Sequence, residues 1–267
     1  MLTTGGKALA DALKRNGTEY VFGIPGLTEV FIMEGLDEIP EIKYILGFNE
    51  IVCVGMAEGY ARITEKPGVL NLHSGPGFVS CLGLLNNAKN GGVPLIITTG
   101  QQDSRLLLHD PHLTGDIVGI GKRYAKWGCE LVHAEDIAAI VRRAFKMSVQ
   151  YPTGATVVSC PQDVMQREFD YEPMEPAQVF TRVRPDTRAV EATLAVLKDA
   201  KNPVILVEGG VTRCNAHAEA VKFAELIGAP VYATWISDVD FPMDHDLYWA
   251  TRTPWFRLPA CRLFLKM

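Results

Sequence analysis

Four short stretches of this sequence set glycines where a ligand could have room, three of them beside polar or ionisable side chains. They are Gly23-Ile24-Pro25-Gly26, Gly47-Phe48-Asn49-Glu50, His73-Ser74-Gly75-Pro76-Gly77 and Gly100-Gln101-Gln102. The Glu50 carboxylate suits proton exchange if Phe48 and Val52 desolvate it, because apolar surroundings raise a carboxyl pKa. The simpler reading is an acid in a first helical turn, held there by the helix dipole. His73, next to a glycine turn, can reach a ligand or sit on a surface loop. Pro25-Gly26 is, on local grounds alone, a turn. What unites the four is that each ends a short apolar run, and ligands of open α/β sheets gather at the carboxyl ends of the strands.

Other chemistry is excluded by spacing. Gly75-x-Gly77-x-x-Ser80 imitates part of a dinucleotide fingerprint, but the third glycine is missing and no acid lies between Gly77 and Gln102. Leu72 stands two places before Ser74, so there is no nucleophile elbow, and no P-loop occurs. His109-Asp110-Pro111-His112 lacks a third ligand at metal-binding spacing and reads as a lining loop. Asp238, Asp240, Asp244 and Asp246 with His245 resemble a cation site in composition only and read as a solvated loop. No metal ligand is assigned.

The elements that must position these residues alternate between helix and strand. Helical spacing covers Ala8 to Arg15, Thr28 to Leu36, Glu50 to Ile63, Phe78 to Lys89 and Ala134 to Gln150. Strands are expected at Glu19 to Ile24, Lys43 to Phe48, Gly68 to His73, Pro94 to Thr99, Tyr124 to Leu131 and Ala155 to Cys160. Runs so uniformly apolar suit strands covered by helices on both faces. The fold class is therefore α/β, a doubly wound, mostly parallel sheet. Ser74 to Gly77 reads as a turn, and Gln101 to Gly121 as a long functional loop with one helical turn. Pro161 to Pro185 holds four prolines and no period, so a domain boundary falls inside it. A second, incomplete Rossmann-like α/β unit follows: helix Thr187 to Ala200, strand Val204 to Glu208, helix Ala216 to Ile227 and strand Val231 to Trp235. Two strands are few for such a sheet, and Thr251 to Met267 shows no pattern.

Composition narrows the function classes. With 48% hydrophobic and 21% charged residues, the 267-residue chain can bury a core. Its 26 basic and 31 acidic residues leave a net charge of −5, with no basic excess for nucleic acid. No apolar run reaches the ~18 residues of a membrane span, and Met1 to Gly17 lacks an apolar signal core. Six cysteines form no CxxC pair, against a zinc ribbon or a disulfide scaffold. A cytoplasmic protein with reduced thiols is expected.

In their order and spacing, four segments resemble the thiamine diphosphate enzymes of the acetolactate synthase and 2-oxo acid decarboxylase superfamily. These are Tyr20-Val21-Phe22-Gly23-Ile24-Pro25-Gly26, Glu50, Asn71-Leu72-His73-Ser74-Gly75-Pro76-Gly77 and Pro94-Leu95-Ile96-Ile97-Thr98-Thr99-Gly100-Gln101. The likeness is to the pyrimidine-binding domain, strong from Leu2 to about Asp163 and weaker through Asp246. The Asn71-Leu72-His73-Ser74 run and Gly100-Gln101-Gln102 lean toward benzoylformate decarboxylase. The implied organisation is a pyrimidine-binding domain over 1–163, a linker over 164–186 and a truncated central domain over 187–267.

The resemblance implies roles. Glu50 would hydrogen-bond the pyrimidine nitrogen N1′ of thiamine diphosphate, and His73 would position substrate or transfer a proton. Pro25, Gly26, Gly75, Gly100 and Gln101 would line the cofactor with Glu50. Only the pyrimidine half is implied, because the family's Gly-Asp-Gly motif for the diphosphate is missing. Magnesium is expected only with a domain that carries that motif. Leu27 stands where benzoylformate decarboxylase has a serine on the substrate carboxylate. The implied function is the N-terminal half of a 2-oxo acid decarboxylase, inactive without a diphosphate-binding domain. An acetolactate synthase-like carboligase fragment and a non-catalytic module pairing with a full-length relative are the alternatives. Expected partners are a small 2-oxo acid and a homo- or hetero-oligomer formed through the pyrimidine domain, with neither nucleic acid nor membrane.

Overall fold

The computed structural model describes residues 1–181, 184–234 and 238–251, and the chain divides into two compact units, Met1–Thr181 and Arg182–Met267. The first unit opens with β1 (Leu2–Thr4), α1 (Gly5–Arg15), β2 (Tyr20–Gly23), α2 (Val30–Asp37), β3 (Lys43–Leu46) and α3 (Glu50–Thr64). It continues with β4 (Gly68–Leu72), α4 (Ser74–Ser80), α5 (Leu82–Asn90), β5 (Leu95–Gln101), α6 (Ile117–Gly121), β6 (Trp127–Glu130) and α7 (Ile137–Val149). It closes with β7 (Thr156–Pro161), α8 (Gln162–Gln166) and β8 (Glu168–Asp170).

Six of these strands form one sheet in the order β3-β2-β4-β5-β7-β6, every neighbouring pair parallel. All residues of β4, β5 and β7 are buried, while the edge strands β3 and β6 are partly open. Successive side chains of a strand point to opposite faces, and here each face meets its own helix layer. Val21, Val69, Ile96 and Val158 pack with α1, α2 and α7. Phe22, Leu70, Ile97 and Val157 pack with α3, α4 and α5. The chain leaves β2 toward the first layer and β4 toward the second. Neighbouring strand ends therefore diverge and open a crevice at the carboxyl edge, the topological switch point.

Three local differences from expectation have physical causes. Ser74-Gly75-Pro76-Gly77 opens α4 instead of turning, because a proline in the first helical turn lacks only an N–H that would have no partner there. The segment 164–171, expected as linker, is built into the first unit. Val164, Met165, Phe169 and Tyr171 are buried against α1, and β8 pairs antiparallel with β1. These pieces are three to five residues long, too short to show a period. The 3-residue β1 is hidden for the same reason.

The second unit contains α9 (Thr187–Lys198), β9 (Ile205–Val207), α10 (Gly210–Arg213), α11 (His217–Ile227), β10 (Val231–Ala233) and β11 (Tyr248–Thr251). Its parallel sheet has the order β11-β10-β9, one strand more than expected, around Val207, Ala224, Val231, Ala233 and Phe241. Trp235, the expected end of β10, and the segment after Thr251 lie outside the described residues.

Candidate functional site

At the carboxyl edge, one buried carboxylate ties three loops together. Glu29 follows β2 in a single turn of 3-10 helix and is fully buried. Its Oε2 accepts from Gly26 N–H at 2.7 Å and lies 2.7 Å from His73 Nδ1. Its Oε1 accepts from the Thr28 hydroxyl at 2.7 Å, Gly100 N–H at 2.9 Å and Ser74 N–H at 3.3 Å. A carboxylate only accepts, so Nδ1, which also lies 3.2 Å from the Thr28 hydroxyl, is the donor to Glu29, and Nε2 is the ring nitrogen left over. Nε2 has no partner among the described residues, and the His73 side chain is 24% exposed. Pairing of Leu72 with Thr99 brings His73 beside Gly100.

Glycine is required at two of the expected positions, for a reason the sequence does not show. A Cβ on Gly26 would lie 2.2 Å from the His73 ring, and a Cβ on Gly100 would lie 2.0 Å from Glu29 Oε1. Both make room for the Glu29–His73 pair.

Glu50 is the first residue of α3, whose cap is the Asn49 side chain accepting from Ile51 N–H at 2.9 Å. The half-buried carboxylate lies a long 3.4 Å from the Ser80 hydroxyl, whose nearer acceptor is Gly77 C=O at 2.8 Å. Gly77, one turn along α4 from His73, faces it: a Cβ there would come to 3.0 Å from Oε1. Of its apolar neighbours in sequence, Phe48 is fully exposed and Val52 48% exposed. The thiols behind this helix are sealed: burial raises Cys53 and pushes Cys81 up to about 12, with the Glu50 charge adding to both.

The remaining expected residues are placed differently. Pro25 shapes the turn between β2 and Gly26. Gly75 lies against Leu113 and Thr114, its N–H donating to Leu113 C=O at 3.3 Å. Gln101 is 2% exposed, and its amide is engaged internally. It donates to Gly115 C=O at 2.9 Å and accepts from Gln102 N–H and the Thr114 hydroxyl. It is a structural pin of the 102–116 segment. His109 and His112 are exposed, and no metal-binding group of His, Cys, Asp and Glu occurs among the described residues. In the acid cluster, Asp240 is buried and accepts from Thr212 N–H and hydroxyl, while His245 meets Glu225.

Glu29 is the functional residue that sequence reasoning missed. An acid three residues after Gly26 fits the capping-box spacing, and that was its one available signal. Its role depends on residues 44 and 71 positions away, His73 and Gly100.

Comparison with known proteins bears on this geometry. Residues 3–120 match the thiamine pyrophosphate enzyme N-terminal TPP binding domain, and residues 190–263 match the central domain of the same enzymes. An acetolactate synthase large subunit from Corynebacterium glutamicum is 32% identical over 248 residues, 92% of this chain and 40% of the relative. A benzoylformate decarboxylase from Polynucleobacter necessarius superposes with a TM-score of 0.86 at 30% identity, over 94% of this chain and 47% of that one. A thiamine diphosphate-dependent 4-hydroxybenzoylformate decarboxylase from Rhodococcus jostii RHA1 superposes with a TM-score of 0.83 at 26% identity, over 93% and 48%. The chain thus spans less than half the length of these relatives. Among the described residues, no helix is long and apolar enough to cross a membrane.

Proposed function

Because this chain belongs to the superfamily of thiamine diphosphate-dependent enzymes, we propose that its crevice holds the pyrimidine half of the cofactor and serves a 2-oxo acid decarboxylase. When bound, thiamine diphosphate supplies the nucleophilic carbon and the electron sink. The residues present fit the pyrimidine. Glu50 offers a half-open carboxylate with one long internal hydrogen bond, and Gly77 keeps the space beside Oε1 clear. Glu50 sits at a helix start, where the dipole favours its charge, and there it exchanges a proton with N1′.

The observation that carries the decarboxylase reading is the Glu29–His73 pair. Glu29 fixes Nδ1 as the protonated nitrogen, so His73 Nε2 can take a proton from a substrate or intermediate oxygen and return it. Leu27, 74% exposed with its carbonyl held by the Gln162 amide at 3.0 Å, gives the mouth an apolar wall and no donor for a substrate carboxylate. Carboligation of the acetolactate synthase type is the second reading, favoured by the sequence relatives.

The diphosphate and its magnesium would be held by residues outside this sequence, which contains no Gly-Asp-Gly. Leu46, Phe48, Ile51 and Val52 are exposed beside Glu50, an apolar rim suited to a partner chain that completes the site. The same rim would serve a non-catalytic pairing module. The test combines the chain with a partner carrying a diphosphate-binding domain, thiamine diphosphate and magnesium, and follows 2-oxo acid consumption. An aldehyde product marks decarboxylation and an acetohydroxy acid marks carboligation. Glu50→Gln must abolish either, and undiminished turnover in that variant overturns the reading.

A further inference from the structure

Directly after His73, Ser74 adopts a backbone conformation that L-residues avoid. Its φ is +48°, in the left-handed region, and it is completely buried. Serine is not a usual occupant of that region, where glycine, asparagine and aspartate dominate. Two bonds hold it. Its N–H donates to Glu29 Oε1 at 3.3 Å, and its hydroxyl donates to Leu113 C=O at 2.6 Å. The acceptor segment is itself held: Gln102 donates to His112 C=O and Gln101 to Gly115 C=O. Leu113 also has a positive φ, +70°.

We propose that Ser74 is a positioning residue for His73: the 112–115 strap clamps its hydroxyl, the clamp holds the left-handed turn, and the turn aims Ser74 N–H at Glu29 Oε1. That bond joins those from the Thr28 hydroxyl and Gly100 N–H on Oε1, and the three together turn Oε2 toward His73 and hold the Nδ1–H form of the imidazole. This rests on the reading of His73 as the proton carrier, but it makes a separate claim about what sets the ring's tautomer.

The test is 15N NMR of the ring nitrogens of His73 in the full chain, without cofactor, for Ser74→Ala and Ser74→Gly. Alanine loses the clamp and disfavours the turn, so resonances of the Nε2–H tautomer should appear beside those of Nδ1–H. Glycine loses the hydroxyl but adopts a positive φ freely, so it should keep the single Nδ1–H pattern. Retention of that pattern in a folded Ser74→Ala, or its loss in Ser74→Gly, overturns the proposal. If Ser74→Ala does not fold, the glycine variant alone decides. Failure of the functional reading would instead appear as a missing effect of Glu50→Gln on turnover, with the His73 tautomer unaltered.

Discussion

Glu29→Gln tests the centre of the site, and its cost can be worked from the bonds the carboxylate accepts. An amide keeps one acceptor oxygen and replaces the other by a donor. With the NH2 on the Oε1 side, the N–H groups of Gly100 and Ser74 both face a donor, and neither can turn away. With the NH2 on the Oε2 side, His73 can move its proton to Nε2 and accept instead, leaving Gly26 N–H as the orphan. The second arrangement is the cheaper. One stranded buried N–H costs about 1–3 kcal/mol, and the bonds that remain lose their charge assistance. Removing a buried charge returns part of this, for a net loss of about 2–4 kcal/mol. With a urea m-value of about 2 kcal/mol/M, the unfolding midpoint should fall by about 1–2 M. Amide hydrogen exchange at Gly26 should accelerate, and the His73 ring should change tautomer. A midpoint within about 0.2 M of wild type, with Nδ1–H retained, would refute the reasoning, since the five accepted bonds would then contribute nothing net.

Glu50→Gln should leave stability within about 0.5 kcal/mol of wild type, because its one internal bond is long and half-exposed; thermal unfolding checks this and separates a lost function from a lost fold. Gly100→Ala should destabilise by about 1–3 kcal/mol and displace Glu29, because the added methyl has no space beside Oε1 and the Thr28 hydroxyl; the lowered Tm and loss of the His73 tautomer are the readouts. Thiol mapping at pH 8 should label exposed Cys214 quickly and buried Cys53, Cys81 and Cys160 slowly, all three of which burial pushes upward. The same burial makes stability fall as pH rises above about 8.5, by about 1.4 kcal/mol per pH unit for each thiol that the unfolded chain ionises and the native chain keeps protonated; urea titrations at pH 7.5 and 9.5 measure it.

What the sequence made legible was whatever repeats or stands on a strand end. Leu95-Ile96-Ile97 and Val157-Val158 announce buried parallel strands, and the four strand-end stretches of the site edge follow from strand-to-helix punctuation. What stayed hidden lacked a period or depended on distant partners. The α4 start at Ser74 was masked by Gly75-Pro76-Gly77, which has the composition of a turn. Gln101 stands in the right place on the edge, yet its side chain folds back onto Thr114 and Gly115. Glu29 looks like any helix-start acid until the sheet brings His73 and Gly100 to it. Phe48 and Val52 adjoin Glu50 in sequence, but both stay exposed, which apolar character alone does not show.

The short β1–β8 pair gives the first unit a ring-like chain path. Leu2 lies opposite Asp170, and Met1 and Tyr171 exchange backbone hydrogen bonds at 3.0 and 3.2 Å. Met1 and Tyr171, ten residues before the end of the unit at Thr181, therefore lie side by side, as chain ends do in domains that accept circular permutation. A peptide of a few residues would join Tyr171 to Met1, and the break could be moved to the exposed stretch around Leu108, 89% accessible and outside the strap over Ser74. The crevice would then be carried by a rearranged chain in which the loop after β5 alone is interrupted, on the near side of its 112–115 strap.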